Sequence, residues 1–139
     1  MGVLSSFRAV SDAGNVAAQL IAGNERLRDV WRFAVVQMLD DYRSVLRHKG
    51  IDAASAMWRD APEPVGDLRA DAAFAALAEH LARHDGWPVP RWASDPAREA
   101  LPWWFVTELR GMHPRALVES PASFRKRGVC ITSDALERV

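Results

Sequence analysis

Residues 24–48, NERLRDVWRFAVVQMLDDYRSVLRH, decide the fold class. Asn24 is a residue that caps helices, and Glu25 puts an acid in the first turn. Arg43 and Arg47 stand near the end, the charge order a helix macrodipole favours. Leu27, Val30, Trp31, Ala34, Met38, Tyr42 and Val45 follow steps of three and four, which trace one face of an α-helix. Phe33, Val35, Val36, Leu39 and Leu46 widen that stripe past one face, so the helix could also meet a second copy of the chain. About 24 helical residues span roughly 36 Å, which makes this the long central helix of the fold.

The flanking segments read the same way. Residues 13–22 (AGNVAAQLIA) are good helix formers, and Gly23 is placed to stop them. Gly50 breaks the long helix, and Asp52 is expected to cap a short one over residues 53–59. Pro62 and Pro64 stiffen the next connection. A further helix starts at Asp67 or Asp71, carries Phe74, Leu77, Ala78, Leu81 and Ala82 on one face, and stops at Gly86. Short loops between helices predict a helical bundle.

The remainder differs in kind. Between Trp87 and Pro102 fall Pro88, Pro90 and Pro96, with Trp92 among them. Asp95-Pro96 signals a single turn reaching Ala100. Residues 103–109 (WWFVTEL) suit a strand or a short helix, and periodicity leaves both open. Ser120-Pro121 opens a short helix over 122–127 that Gly128 ends, and Val129–Ile131 is short and β-prone. Asp134 and Glu137 offer a final capped turn. The expectation is a mainly α single domain over 1–139. Its helical half covers about 13–86 and its Pro/Trp-rich irregular half about 87–139, with at most a small two-stranded pairing between the Trp103 and Val129 segments.

Composition narrows the function classes. A chain of 139 residues buries about two thirds of its surface on folding, enough for a core without staples. Eighteen basic residues balance eighteen acidic ones, so no overall field recruits nucleic acid or anionic lipid. Residues 51–106 hold five basic and nine acidic side chains, so the acidic middle should attract the more basic ends within one fold. Only Lys49 and Lys126 are lysine among those eighteen cations, a bias that suggests a GC-rich bacterial genome. Cys130 is the one cysteine, which excludes an intramolecular disulfide and fits a reducing compartment. Neither a signal peptide nor an apolar run of about 20 residues is visible, so a soluble cytoplasmic chain is expected.

Candidate chemistry is sparse. His80 and His84, four apart on a helix, suit one metal ion. The run between them lacks the glutamate of a metalloprotease motif, and His113 is the one downstream histidine. Two surface histidines at a helix end, where the dipole favours them, are the plainer reading, so no metal and no cofactor is assigned. Cys130, between Val129 and Ile131, reads as a small core residue rather than a nucleophile. Neither a phosphate-binding glycine loop nor a nucleophile elbow is present, and no catalytic residue is assigned. Asp40 and Asp41 point about 100° apart on the long helix and read as a solvated face.

Two features remain. Arg125-Lys126-Arg127, with Arg110, Arg115 and Arg138, could form a phosphate-binding patch. No helix-turn-helix pattern accompanies it, so nucleic acid is not expected to bind through this chain alone. Six tryptophans are many for this length, and four fall between positions 87 and 104. Exposed tryptophan beside arginine is the composition of interface hot spots. Trp92, Trp103, Trp104, Phe124, Arg125 and Arg127 are therefore the expected partner-binding surface. The competing reading closes the open end of the bundle with these rings.

Residues 71–84 (DAAFAALAEHLARH), 87–92 (WPVPRW), 102–106 (PWWFV) and 120–129 (SPASFRKRGV) resemble an actinobacterial domain. That domain is usually found C-terminal to a helix-turn-helix in toxin–antitoxin-associated regulators, beside a nucleotidyltransferase-type toxin gene. The resemblance covers about positions 17–139, and its most specific pieces are the proline–tryptophan stretch and the Ser-Pro…Phe-Arg…Arg-Gly run. It implies an antitoxin-like interaction domain with no catalytic residues to carry over. Few residues precede the match here, so partner binding, not DNA binding, is the role it passes on. The expected function is a non-catalytic protein-interaction module binding a protein partner, such as a cognate toxin. The alternatives are a nucleic-acid-binding domain of a transcriptional regulator and a metal-dependent enzyme using His80 and His84. A homo-oligomer is compatible with each.

Overall fold

A computed structural model describes residues 7–100 and 103–137. The mainly α expectation holds: helix accounts for 64% of the structure, and one two-stranded parallel pairing is its only sheet among the described residues.

Helix α1 runs Val10–Ala22. Asp12 anchors its start by accepting from the backbone N–H of Arg8 and Ala9 at 2.9 and 3.2 Å. Asn24 serves the end of this helix instead of opening the next one. It sits in the left-handed region (φ 62°), which asparagine tolerates better than most residues, and its N–H reaches the Ile21 carbonyl. The long helix then starts with α2 (Leu27–Val30) after Arg26, without a side-chain cap. It passes through a π-helical turn (Trp31–Val35) into α3 (Val36–Lys49).

The π turn has a cause visible in the burial pattern. Val30/Trp31, Ala34/Val35 and Met38/Leu39, then Tyr42, are buried at intervals of four residues. In a regular α-helix each four-residue step drifts about 40° around the axis. A wider turn absorbs part of that drift and keeps the pairs on one core. Phe33, expected in the widened stripe, falls outside and is half exposed.

Gly50, with φ 94°, ends α3 and directly precedes α4 (Ile51–Ala56), so Asp52 lies in the first turn and is not the cap. Helix α5 (Leu68–Asp85) begins with Asp67, whose side chain accepts from the Arg69 N–H at 2.9 Å, and stops at left-handed Gly86. Its residues 70–79 are all buried, which light alanine side chains permit by letting neighbours approach closely. The deepest part of the core therefore lies around α5, with α7 and the second strand packed on it.

After α5 come a 3-10 turn (Arg91–Ser94), β1 (Trp104–Phe105) and a 3-10 turn (Arg110–Met112). Helix α6 (His113–Glu119), α7 (Ala122–Arg125), β2 (Val129–Cys130) and a last 3-10 turn (Ser133–Leu136) complete the chain. Asp95 opens a hydrogen-bonded turn, its side chain accepting from the Ala97 N–H and its carbonyl from the Arg98 N–H, both at 2.9 Å, and the turn stops short of Ala100. The strands run parallel, with Trp104 opposite Val129 and Phe105 opposite Cys130. Helices α6 and α7 form the crossover that a parallel pair requires. Ser120 does not cap α7. Its hydroxyl donates to the Ala116 carbonyl at 2.6 Å and accepts from the Ile131 N–H at 2.8 Å, tying α6 to the end of β2.

Gly128 is fixed by this crossover. Its φ is 77°, and a Cβ there would lie 2.4 Å from the Ala100 carbonyl oxygen. Among the described residues no helix is long and apolar enough to cross a membrane.

Candidate functional site

The six residues expected on one surface part company. Side chains alternate along a strand edge, so Trp103 and Trp104 face opposite ways. Trp104 turns inward, 8% exposed, and meets Trp31 edge-on at 6.0 Å. Trp103 turns outward and is 50% exposed. Phe124 is fully buried between Trp31 and His80, at ring separations of 6.3 and 5.9 Å. Trp104 and Phe124 are thus core residues, because the long helix offers Trp31 as a shared aromatic neighbour.

Arg127 is also interior, 5% exposed, and its partner explains why. Glu79 on α5 is 3% exposed and meets Arg127 Nη1 at 2.7 Å. The same guanidinium donates to the Ser123 and Ala93 carbonyls at 2.8 and 2.7 Å. Arg83 and Lys126 reach Glu79 from the surface at 2.6 and 2.8 Å. Burial opposes ionisation of Glu79. Hydrogen bonds from Lys126, Arg83 and Arg127 outweigh it and bring the carboxyl down to about 2. This buried cluster, where the acidic middle meets the basic C-terminal part, is structural in its chemistry. Its sequence signal was a lone glutamate on an otherwise apolar helix face.

Of the basic run, Arg127 is interior and Lys126 is paired with Glu79 from the surface. Arg125 is exposed, with Nη1 donating to the Leu117 carbonyl at 3.3 Å, and Arg115 pairs with Glu119 at 2.7 Å. Arg138 lies outside the described residues. Among the described residues, the unpaired members of a phosphate-binding patch are Arg110 and Arg125.

Of the expected surface, Trp103 and Arg125 remain open together around one turn. The Arg125 carbonyl accepts from the Gly128 N–H, and Trp103 Cδ1 would lie 3.1 Å from a Cβ at Gly128. Arg125 in turn ties this corner to α6, where Leu117 and Val118 are exposed, Val118 by 77%. Leu109, just ahead of α6, is exposed as well. Among the described residues four of the seven large exposed hydrophobics (Trp103, Leu109, Leu117, Val118) fall within residues 103–118. Apolar surface is thus concentrated in the C-terminal half.

Trp92 belongs elsewhere. It is half-buried, donates from Nε1 to the Trp58 carbonyl at 2.8 Å, and lines a cleft with Trp58 and Trp87.

The histidines do not converge. His80 and His84 stack at 6.3 Å, and His84 Nδ1 lies 2.8 Å from Asp85 Oδ1. The other Asp85 oxygen accepts from the Tyr42 hydroxyl at 2.6 Å. His113 is taken up by Phe105, on which it stacks at 4.3 Å. Among the described residues no group of three or more His, Cys, Asp or Glu side chains is arranged to hold a metal ion. Cys130 is buried, and burial pushes its thiol up against smaller opposing effects from Ser120 and Arg125, which disfavours the reactive thiolate.

No family model, no curated protein and no solved structure matches this chain.

Proposed function

We propose that this chain is a non-catalytic protein-interaction module, antitoxin-like, whose partner is a nucleotidyltransferase-type toxin. The observation that carries the reading is Trp103, half exposed in a structure that buries Trp31, Trp58, Trp87 and Trp104. An exposed indole with a guanidinium and aliphatic side chains nearby is the composition of an interface centre. Arg125, Leu117 and Val118 supply those neighbours. A cytoplasmic setting goes with this reading, since the buried Cys130 thiol is free. The basic residues near the C-terminus are mostly engaged with Glu79 and Glu119, which leaves little charge for nucleic acid.

Co-expression with the product of the neighbouring gene tests it. A stable co-eluting complex is expected, and Trp103→Ala should weaken it by roughly 30-fold, as removal of a hot-spot ring does. Leu68→Ala, on an exposed site outside this corner, should leave it unchanged. A chain that elutes alone in the presence of that product contradicts the proposal.

A further inference from the structure

We propose that the cleft between the end of α4 and residues 87–92 binds a small planar aromatic carboxylate. The cleft is open to solvent and has a volume of about 580 Å³, within the range of small-molecule sites. Half-buried Trp92 with Pro88 and Pro90 offers the apolar surface, buried Trp58 and Trp87 lie behind it, and Arg59, Arg91 and Asp60 bring the charges. It shares no residue with the Trp103–Arg125 corner, so it stands independently of the docking role.

Its walls are held in advance of any ligand. Trp92 is fixed through Nε1 to the Trp58 carbonyl, and the Arg98 guanidinium lies 5.1 Å from its ring centroid. Arg98 is itself buried and anchored on the Pro62 carbonyl at 2.8 Å. Trp87 donates from Nε1 to the Tyr42 hydroxyl at 2.9 Å, and that hydroxyl is bound to Asp85. Trp58 meets the same Tyr42 ring edge-on at 6.3 Å. Side chains pinned in this way lose little rotamer freedom on binding, so contact with a flat ring is not offset by ordering the site.

Charge selects the second half of the ligand. Arg59 and Arg91 are exposed, and neither forms an ion pair among the described residues. Two guanidinium groups against the one carboxylate of Asp60 leave the cleft a single net positive charge. Guanidinium matches carboxylate geometry through paired N–H donors. A ring to lie against indole and proline, carrying one carboxylate, satisfies both halves.

The test follows the tryptophan indole N–H signals of the ¹⁵N-labelled chain by NMR during titration with 2-naphthoate. Saturable shifts at the Trp87 and Trp92 signals are expected. Acetate, which lacks the ring, should give none. Neutral 2-naphthamide should bind about tenfold more weakly, the scale of a lost charge-assisted hydrogen bond. The R59A/R91A double variant, altered only at exposed positions, should show a similar loss, and Asp60→Asn a gain. Absence of saturable shifts overturns the proposal, as does equal affinity for the amide or an unchanged affinity in the double variant. Tighter binding of adenosine monophosphate than of 2-naphthoate overturns the carboxylate assignment.

Discussion

Replacing Glu79 by glutamine keeps the shape of the buried cluster and removes its charge. The stabilisation at stake follows from the carboxyl being held at about 2 against an ordinary value of 4.5. That difference corresponds to about 3 kcal/mol favouring the ionised, folded form at neutral pH. The lowering comes first from Lys126 and Arg83 and then from buried Arg127, and screening at the two exposed cations makes about 3 kcal/mol an upper figure. Urea denaturation at pH 7 should therefore show Glu79→Gln less stable by about 1–3 kcal/mol, with the slope unchanged. The pH dependence supplies the sign. A carboxyl depressed in the folded state stabilises above its unfolded value, and that contribution disappears as pH falls from about 5 towards 2. The gap between wild type and variant should close over that window. A loss below about 1 kcal/mol at pH 7, or a gap that stays constant on acidification, would refute the reasoning.

Three further outcomes are expected. Trp104→Ala should cost about 3–5 kcal/mol in urea denaturation, as for a buried ring, while Trp103→Ala should cost less than about 1 kcal/mol; equal losses would place both rings in the core. Gly128→Ala should destabilise by more than about 2 kcal/mol, because the new Cβ meets the Ala100 carbonyl in a left-handed backbone, and an unchanged melting temperature would contradict this. The His80 imidazole should titrate below its ordinary value by NMR, since burial, His84 and Arg43 disfavour its charge more than Asp85 supports it. With the folded value lowered, its protonation removes stability as pH drops below the unfolded value near about 6.5; a raised His80 value would reverse the sign.

Element type was legible wherever the periodicity was long. The long helix, from Leu27 to Lys49, and the one ending at Gly86 both form, because apolar spacing and stop residues agree there. A small pairing of the Trp103 and Val129 segments was allowed for and forms, but its parallel sense was not legible in the sequence. Helix α6 was missed. Pro114 in its first turn is the signal that could have found it, since proline is well suited to that position. The π turn left a trace in the four-residue spacing of Val30, Ala34 and Met38, which steps of three and four also accommodate.

The site was harder to read because exposure is a tertiary property. Trp103 and Trp104 are adjacent and chemically alike, and only the strand pairing decides which one meets Trp31. Arg127 looked like one of three surface cations, and its removal to the interior depends on Glu79, 48 residues away. The cleft of Trp58, Trp87 and Trp92 joins positions from two separate segments, and no spacing rule links them.

The most direct measurement is acrylamide quenching of tryptophan fluorescence, compared between wild type and Trp103→Phe, with and without the neighbouring gene product. A readily quenched component in the free wild type, absent from the variant and protected once the partner is added, is the predicted result. Equal quenching of wild type and variant in the free chain, or no protection of that component in the mixture, would contradict an uncovered docking corner at Trp103.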